Sequence, residues 1–183
     1  MIVLASKSPR RQLLMKRIAP TFIIYDSNID EDKYRSLPPI EACKSIALHK
    51  ALKAKEVYKD DTIISADTIV VLDNEIINKP IDEIDAYNIL KKLSNKEHQV
   101  ITAYTIIKGD KTLTDIVISN VIINDLDDDL INSYIKSGSP LDKAGAYGIQ
   151  DNKEYPIVKS YTGSYDNIVG FPVDEIKQSL ETI

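Results

Sequence analysis

The sequence predicts a mixed α/β fold, and three observations favour this class. Strand-like and helix-like patterns alternate along the whole chain, which is typical of a sheet covered by helices. A short apolar strand at the N-terminus runs directly into a turn and a helix. Two long strand-like segments flank the turn at residues 108–110, which predicts a hairpin. We find no repeats, low-complexity tracts or linkers, and we therefore expect one domain over residues 1–183.

The predicted strands are rich in apolar and β-branched residues and are bounded by turn residues. They lie at residues 2–4, 21–25, 62–72, 75–77, 99–107 and 112–123. Asp73 and Asn74 form the turn between the third and fourth strands, and Gly109 lies in the turn between the last two.

The predicted helices begin at capping or proline residues and carry apolar residues at helical spacing. They lie at residues 9–18, 38–58, 83–93, 127–136 and from 172 towards the C-terminus. Ser8 is a good N-cap for the first helix, and Pro9 suits its first turn. Gly138 is a typical stop after the fourth helix.

Composition and charge exclude several classes of protein. A hydrophobic content of 43% and a charged content of 28% are those of an ordinary globular protein. The net charge of −5 leaves no general footprint for nucleic acid, so we expect no direct nucleic-acid partner. The single Cys43 cannot form an internal disulfide, and four apolar residues after Met1 are too few for a membrane span. We therefore expect a cytoplasmic protein with no membrane partner.

The start of the first helix has the features of an anion site. Arg10 and Arg11 occupy a first helical turn, where the helix dipole disfavours cations by roughly 0.3–1 kcal/mol each. A strand that leads into a polar turn, free helix amides and two guanidinium groups can bind a phosphate. The alternative is two solvated arginines on a surface helix.

Two charged residues interrupt apolar patterns. Asp67 lies within a strand-like run, where a carboxylate needs hydrogen bonds or a cation; a structural cap is the alternative. Lys50 falls near the middle of a helix face formed by Cys43, Ile46, Ala47, Ala54 and Val57. A lysine on such a face either snorkels to solvent or contacts an anion. Lys79, before a proline, is by itself a surface lysine.

Two further segments have weaker signals. The acidic loop at residues 30–32 could ligate a hard cation through oxygen, although solvated charge is the commoner explanation. Residues 141–150 contain Gly145, Gly148 and a terminal Gln150. Glycines allow close backbone approach to a ligand, and a glutamine amide can read the edge of a nucleobase. A glycine-rich turn with a solvated glutamine is the alternative.

Taken together, these segments resemble the Maf family of nucleoside triphosphate pyrophosphatases. The resemblance covers essentially the whole chain, at residues 5–11, 30–31, 50–51, 65–70, 79–80, 98–102, 142–150 and 163–172. It implies an elongated α/β mixed-sheet fold like that of the inosine triphosphate pyrophosphatases, with two lobes and a central cleft. It also implies hydrolysis between the α and β phosphates, giving a nucleoside monophosphate and pyrophosphate.

The resemblance assigns roles residue by residue. Asp67 matches the proton acceptor, and Glu31 matches an acidic residue that, with Asp67, would bind a divalent cation, Mg²⁺ or Mn²⁺. The expected substrate-binding residues are Ser6, Ser8, Arg10, Arg11, Lys50 and Lys79. Arg10, Thr68 and Gln150 together resemble the subgroup that acts on dTTP and UTP.

The resemblance leaves alternatives open. One is a non-catalytic regulatory or binding protein linked to cell division, and another is an inosine or xanthosine triphosphate pyrophosphatase. Housecleaning of modified nucleotides is a further option for the physiological role. The expected partner is the nucleoside triphosphate itself, and a homodimer is one option for assembly.

Overall fold

A mixed seven-stranded sheet forms the framework of the computed structural model, which describes residues 1–34 and 36–183. Its strands are β1 (Ile2–Leu4), β2 (Ile23–Ile24), β3 (Thr62–Leu72), β4 (Glu75–Ile77), β5 (Glu97–Lys108), β6 (Lys111–Ile123) and β7 (Val158–Thr162). The strand order is β2-β1-β3-β5-β6-β7, with β4 paired to β3. β1 runs parallel to β2 and β3, whereas β4 is antiparallel to β3 and β7 to β6. The predicted α/β class is confirmed.

Helices flank the sheet, and side-chain caps begin most of them. They are α1 (Pro9–Met15), α2 (Pro39–Val57), α3 (Glu83–Leu93), α4 (Asp128–Lys136), α5 (Tyr165–Val169) and α6 (Val173–Thr182). Ser8, Asp82, Asp127 and Ser164 each accept a hydrogen bond from a backbone N–H of the helix that follows. Short 3-10 turns lie at Glu31–Tyr34, Ser139–Asp142, Ala144–Ala146 and Ile149–Asp151. None of the described helices has the length and apolar character needed to cross a membrane.

The observed elements follow the predicted ones closely, with a few differences. The second strand is limited to Ile23–Ile24, and α1 ends at Met15 rather than continuing to Ile18. β7 and α5 were not predicted. Val57, which we expected on the apolar face of α2, is 59% exposed, because the buried face of that helix ends at Ala54.

The chain divides into two compact units. The first comprises Met1–Thr68, Ile101–Val117 and Ser164–Ile183. Successive residues of a strand point to opposite faces, so Val3 packs with Ala51 and Ala54 of α2, whereas Leu4 packs with Met15 and Ile176. The sheet of this unit is therefore buried on both faces, which explains why apolar residues predominate in β1 and β3.

The second unit comprises Ile69–Val100 and Ile118–Gly163. Its α3 and α4 contact each other and the 3-10 turns that follow α4. Leu90 and Leu93 of α3 and Ile131 and Tyr134 of α4 are fully buried. This packing places the segment after α4 against a fixed helical support.

Candidate active site

The first unit contains a cavity at the carboxyl ends of its parallel strands. Carboxyl ends of adjacent parallel strands meet at one edge of a sheet, where loops form binding sites in many α/β proteins. The cavity has a volume of about 220 Å³ and is lined by residues 5–7 after β1, residues 26–29 after β2, Glu31 and Lys50. Residues 5–7, which lead into the predicted anion-binding turn, thus line the same cavity as Glu31 of the acidic loop and Lys50 of α2.

Lys50 joins two carboxylates at this cavity. Its Nζ lies 2.7 Å from Oε1 of Glu31 and 3.2 Å from Oδ1 of Asp67. The side chains of Lys50 and Asp67 are only 16% and 12% exposed, whereas that of Glu31 is 49% exposed. One ammonium therefore neutralises an enclosed carboxylate from β3 and an open one from the 3-10 turn at Glu31–Tyr34. We expected Lys50 to contact an anion, and in the structure its anionic partners are the carboxylates of Glu31 and Asp67.

The backbone around Asp67 is fixed by buried polar side chains. The thiol of Cys43 donates to the carbonyl oxygen of Asp67 at 3.3 Å, and the hydroxyl of Ser65 donates to the carbonyl of Ala47 at 2.6 Å. These bonds tie β3 to α2, the helix that carries Lys50. Burial raises the pKa of the Cys43 thiol well above its ordinary value, so this cysteine is a weak nucleophile.

Arg11 connects three segments of the first unit. Its Nε donates to the carbonyl of Gly170 at 2.9 Å, its Nη2 to Oγ1 of Thr68 at 3.0 Å, and its Nη1 to Oγ of Ser6 at 3.5 Å. Burial lowers the pKa of Arg11, and the negative charge of Asp67 opposes this shift. In this structure Arg11 thus orients the residues after β1 and within β3, while its contact with phosphate stays a prediction.

Thr68 is part of a buried hydroxyl network that the sequence analysis did not identify. Its Oγ1 lies 2.9 Å from Oγ1 of Thr102 and 3.3 Å from the carbonyl of Gly170. Thr102 in turn donates to the carbonyl of Asn167 at 3.3 Å. The available signal was a polar residue inside the buried apolar run of β5. Several hydrogen bonds therefore fix the side-chain conformation of Thr68, the predicted specificity residue.

Ser6, Ser8 and Arg10 lie together at the turn between β1 and α1. The backbone N–H of Ser8 donates to Oγ of Ser6 at 3.2 Å, and Oγ of Ser8 accepts from the N–H of Arg11 at 3.4 Å. Arg10 is half-buried in the first turn of α1. Of these three residues, Ser6 lines the cavity, and the contact of Ser8 and Arg10 with substrate stays a prediction.

Lys79 and Gln150 belong to the second unit, and both are exposed. Lys79 follows β4 and precedes the buried Pro80. The N–H of Gly145 donates to the carbonyl of Asn78 at 3.3 Å, which joins the Lys79 segment to the glycine-containing turns before Gln150. The contact of Lys79 with phosphate and that of Gln150 with the base stay predictions.

A buried histidine supports the same glycine-containing segment. Nε2 of His98 lies 2.6 Å from the hydroxyl of Tyr147, and both residues are buried. Within the described part of the chain, Nδ1 of His98 has no hydrogen-bond partner. Burial lowers the pKa of His98 to about 4, so the folded protein holds this imidazole neutral near pH 7.

This shift predicts a dependence of stability on pH. The unfolded chain binds a proton at His98 near pH 6.5, whereas the folded chain does so only near pH 4, so stability falls as the pH drops through this window. We expect His98 to lower the free energy of unfolding by about 2 kcal/mol between pH 7 and pH 5. Urea denaturation of the parent and of His98→Gln over this range measures the difference. The control is His49→Gln, at an exposed histidine, and an equal pH slope in parent and His98→Gln would contradict the prediction.

Comparisons with known proteins show the family of this chain. The family model described as Maf: Maf-like protein matches residues 1–183. A curated relative from Clostridium beijerinckii, named dTTP/UTP pyrophosphatase, is 43% identical over 100% of this chain and 98% of its own length. Relatives of the same name from Pyrococcus furiosus and Clostridium botulinum strain Eklund 17B are 42% and 44% identical. Each covers 98% of this chain, with 94% and 97% of its own length matched.

Among solved structures, that of the Staphylococcus aureus Ham1 protein aligns with a TM-score of 0.49 and 19% identity, over 68% of this chain and 72% of that chain. The family match and the relatives both extend over essentially every residue described above. This chain belongs to the Maf family.

Proposed function

We propose that this protein is a nucleoside triphosphate pyrophosphatase that hydrolyses dTTP and UTP to the monophosphate and pyrophosphate. The observation that carries this proposal is the Glu31–Lys50–Asp67 cluster at the cavity of the first unit. Curated relatives at 42–44% identity over nearly the full chain are named dTTP/UTP pyrophosphatases, which supports both the reaction and the substrates.

The proposed chemistry needs a base and positive charge. Asp67 would accept the proton of a water molecule that attacks the α-phosphorus, with pyrophosphate as the leaving group. Lys50 and Arg10, with Lys79 as a predicted member, would stabilise the charge that develops on the phosphates. Cys43 is buried with a raised pKa, so direct attack by water fits the site better than a cysteine nucleophile.

We further propose that Glu31 and Asp67 hold a divalent cation. The donor set fits this group, because the two carboxylates already share one positive charge, the ammonium of Lys50. In the described residues, no group of three or more His, Cys, Asp or Glu side chains could hold a metal. Mg²⁺ is commonly bound by one or two carboxylates together with substrate phosphates and water, so a pair of carboxylates suits this cation. When bound, such a cation would supply neutralisation of phosphate charge.

A screen of the purified protein tests the reaction and its dependence on metal. With Mg²⁺, we expect pyrophosphate release from dTTP and UTP, and loss of activity in excess EDTA that Mg²⁺ or Mn²⁺ restores. Pyrophosphate and orthophosphate are assayed separately. Orthophosphate as first product would contradict attack at the α-phosphorus. No release from any triphosphate would favour a binding protein, and faster hydrolysis of inosine triphosphate than of dTTP would favour an inosine triphosphate pyrophosphatase.

Base selection by Gln150 gives a separate prediction. We expect Gln150→Ala to lower kcat/KM for dTTP and UTP by about 5- to 150-fold, because hydrogen bonds to the base edge are lost. Poor substrates that do not use this contact should change little. Steady-state kinetics with dTTP, UTP, CTP and GTP measures the effect. An unchanged ranking of the four substrates would contradict the role of Gln150.

Assembly and location also belong to this proposal. We propose a protein of the cytoplasm that acts without a nucleic-acid partner, which the net charge of −5 and the single cysteine support. A homodimer is one option for the assembly. Light scattering of the purified protein measures its mass, and a monomeric mass would exclude the dimer.

A further inference from the structure

One buried hydroxyl bonds the backbone before Gln150 and the side chain of the residue after it. Tyr134 of α4 is fully buried in the second unit. Its hydroxyl accepts from the N–H of Gly148 at 2.9 Å and donates to Oδ2 of Asp151 at 2.7 Å. Gly148 lies two residues before Gln150, and Asp151 lies immediately after it. The phenol oxygen therefore connects the two ends of the short segment that presents the glutamine.

The donor and acceptor roles in this arrangement are fixed by chemistry. Burial, followed by the hydrogen bond to Asp151, raises the pKa of Tyr134 above its ordinary value, so the phenol keeps its proton. A backbone N–H can only donate, so the single phenolic proton is directed to the carboxylate of Asp151. The same Oδ2 accepts from the hydroxyl of Ser139 at 2.6 Å. Both hydroxyls that contact Oδ2 of Asp151 are thus donors, and the direction of each hydrogen bond is fixed.

Gly148 adds a second constraint on Gln150. A β-carbon built at Gly148 would lie 2.7 Å from Nε2 of Gln150 and 2.8 Å from Cε of Lys143. The side-chain amide of Gln150 therefore folds over the backbone of Gly148, where only a hydrogen leaves room. Nζ of Lys143 is itself held by the carbonyl and hydroxyl of Ser139 at 2.6 and 2.8 Å. The amide of Gln150 thus rests on backbone that the hydroxyl of Tyr134 fixes.

We propose that Tyr134 is a positioning residue that sets the selectivity for the nucleobase by holding Gly148 and Asp151 on either side of Gln150. The proposal rests on the proposed function, in which Gln150 reads the base. Tyr134 is buried and acts through Gln150. Its removal should therefore change the preference among nucleotides more than it changes hydrolysis in general.

The first test is Tyr134→Phe, which keeps the ring and removes the hydroxyl. We expect kcat/KM for dTTP to fall by about 5- to 15-fold, chiefly through KM, and that for GTP to fall less than about twofold. The matched control is Tyr104→Phe. Tyr104 is equally buried, and its hydroxyl lies 2.8 Å from Oγ of Ser179 in the first unit. An equal loss for all nucleotides, or an equal loss in Tyr104→Phe, would overturn the proposal.

A double variant separates positioning from stability. If Tyr134 acts through Gln150, then Tyr134→Phe should change kcat/KM for dTTP by less than about twofold in a Gln150→Ala background. Additive losses in the double variant would overturn the proposal. Thermal unfolding of each variant is recorded beside the kinetics, since a purely structural role lowers Tm without changing the ratio of dTTP to GTP.

A second variant disturbs Gln150 without removing any hydrogen-bonding group. Gly148→Ala forces the ends of two flexible side chains, those of Gln150 and Lys143, to move, so the fold should survive. We expect it to reproduce the loss of preference for dTTP that is predicted for Gln150→Ala. Retention of the parent's preference by Gly148→Ala would count against the proposed placement of the amide.

A dTTP analogue with an α,β-methylene bridge cannot be hydrolysed between these phosphates. Its binding therefore tests the role of Tyr134 independently of the proposed reaction. Calorimetry with Mg²⁺ should show affinity about 5- to 15-fold weaker for Tyr134→Phe and unchanged for Tyr104→Phe. Selective binding by a parent protein that releases no pyrophosphate would refute the proposed reaction and leave the positioning role in place. Unchanged affinity in Tyr134→Phe beside an active parent would refute the positioning role alone.

Discussion

Asp67→Asn is expected to lower kcat by about 10²- to 10⁴-fold while the protein stays folded. The amide keeps the size of the side chain but cannot accept the proton of an attacking water. The surroundings of Asp67 should tolerate the change. Cys43 bonds to the backbone carbonyl of residue 67 rather than to its side chain, and Lys50 keeps its ion pair with Glu31. The loss should therefore appear in the chemical step and not in folding.

Single-turnover kinetics with dTTP and thermal unfolding together measure this effect. The control is Asp128→Asn, which removes a carboxylate that pairs with Lys91 at 2.9 Å in the second unit, outside the cavity. This control should retain the parent's rate within about twofold. An unfolded Asp67→Asn protein, or a folded one with a near-normal kcat, would mean that Asp67 has a structural role.

Most of the fold could be predicted from local signals. The caps at Ser8 and Asp127 and the Gly109 turn gave helix starts and a hairpin within a few residues of those observed. β7 was missed because only Val158 of its five residues is buried, so its sequence has no apolar pattern. α5 is too short, at five residues, to show helical periodicity.

The members of the site could be predicted more readily than their contacts. Lys50 and Asp67 were identified because each places a charge in an apolar pattern, and such a charge needs a partner. Their pairing depends on how α2 packs on β3. No local sequence pattern encodes this packing. Glu31 was ambiguous because acidic loops are usually solvated, and its place in the cavity lining and its 2.7 Å contact with Lys50 connect it to the site.

Arg11 shows why the direction of a side chain is harder to predict than its location. The sequence placed Arg10 and Arg11 equally in an anion-binding turn. In the structure, three donors of Arg11 bind Ser6, Thr68 and Gly170 of its own unit. Consecutive helical residues point about 100° apart, so one arginine of the pair can face the core while its neighbour faces elsewhere. The partner at Gly170 is far away in sequence and could not be identified from the turn.

The second large effect is expected for Lys50→Met, which should lower kcat/KM for dTTP by about 10²- to 10³-fold. Methionine keeps the length of the side chain but removes the charge that lies between Glu31 and Asp67. Two consequences follow: a cation proposed to contact the phosphates is lost, and the two carboxylates repel each other and an incoming triphosphate. α2 should still pack, because its buried face consists of other residues, such as Ala47, Ala51 and Ala54.

Two further variants separate charge from shape at this position. Lys50→Arg restores the charge but replaces a compact ammonium with a planar fork, so it should recover only part of the activity. Lys44→Met removes an exposed lysine from the same helix and should leave kcat/KM within about twofold of the parent. Steady-state kinetics with dTTP over a range of Mg²⁺ concentrations compares all three variants. If Lys50→Met matched Lys44→Met, the ion pairs of Lys50 would serve the fold alone, and the phosphate charge would have to be neutralised by Arg10 and Lys79.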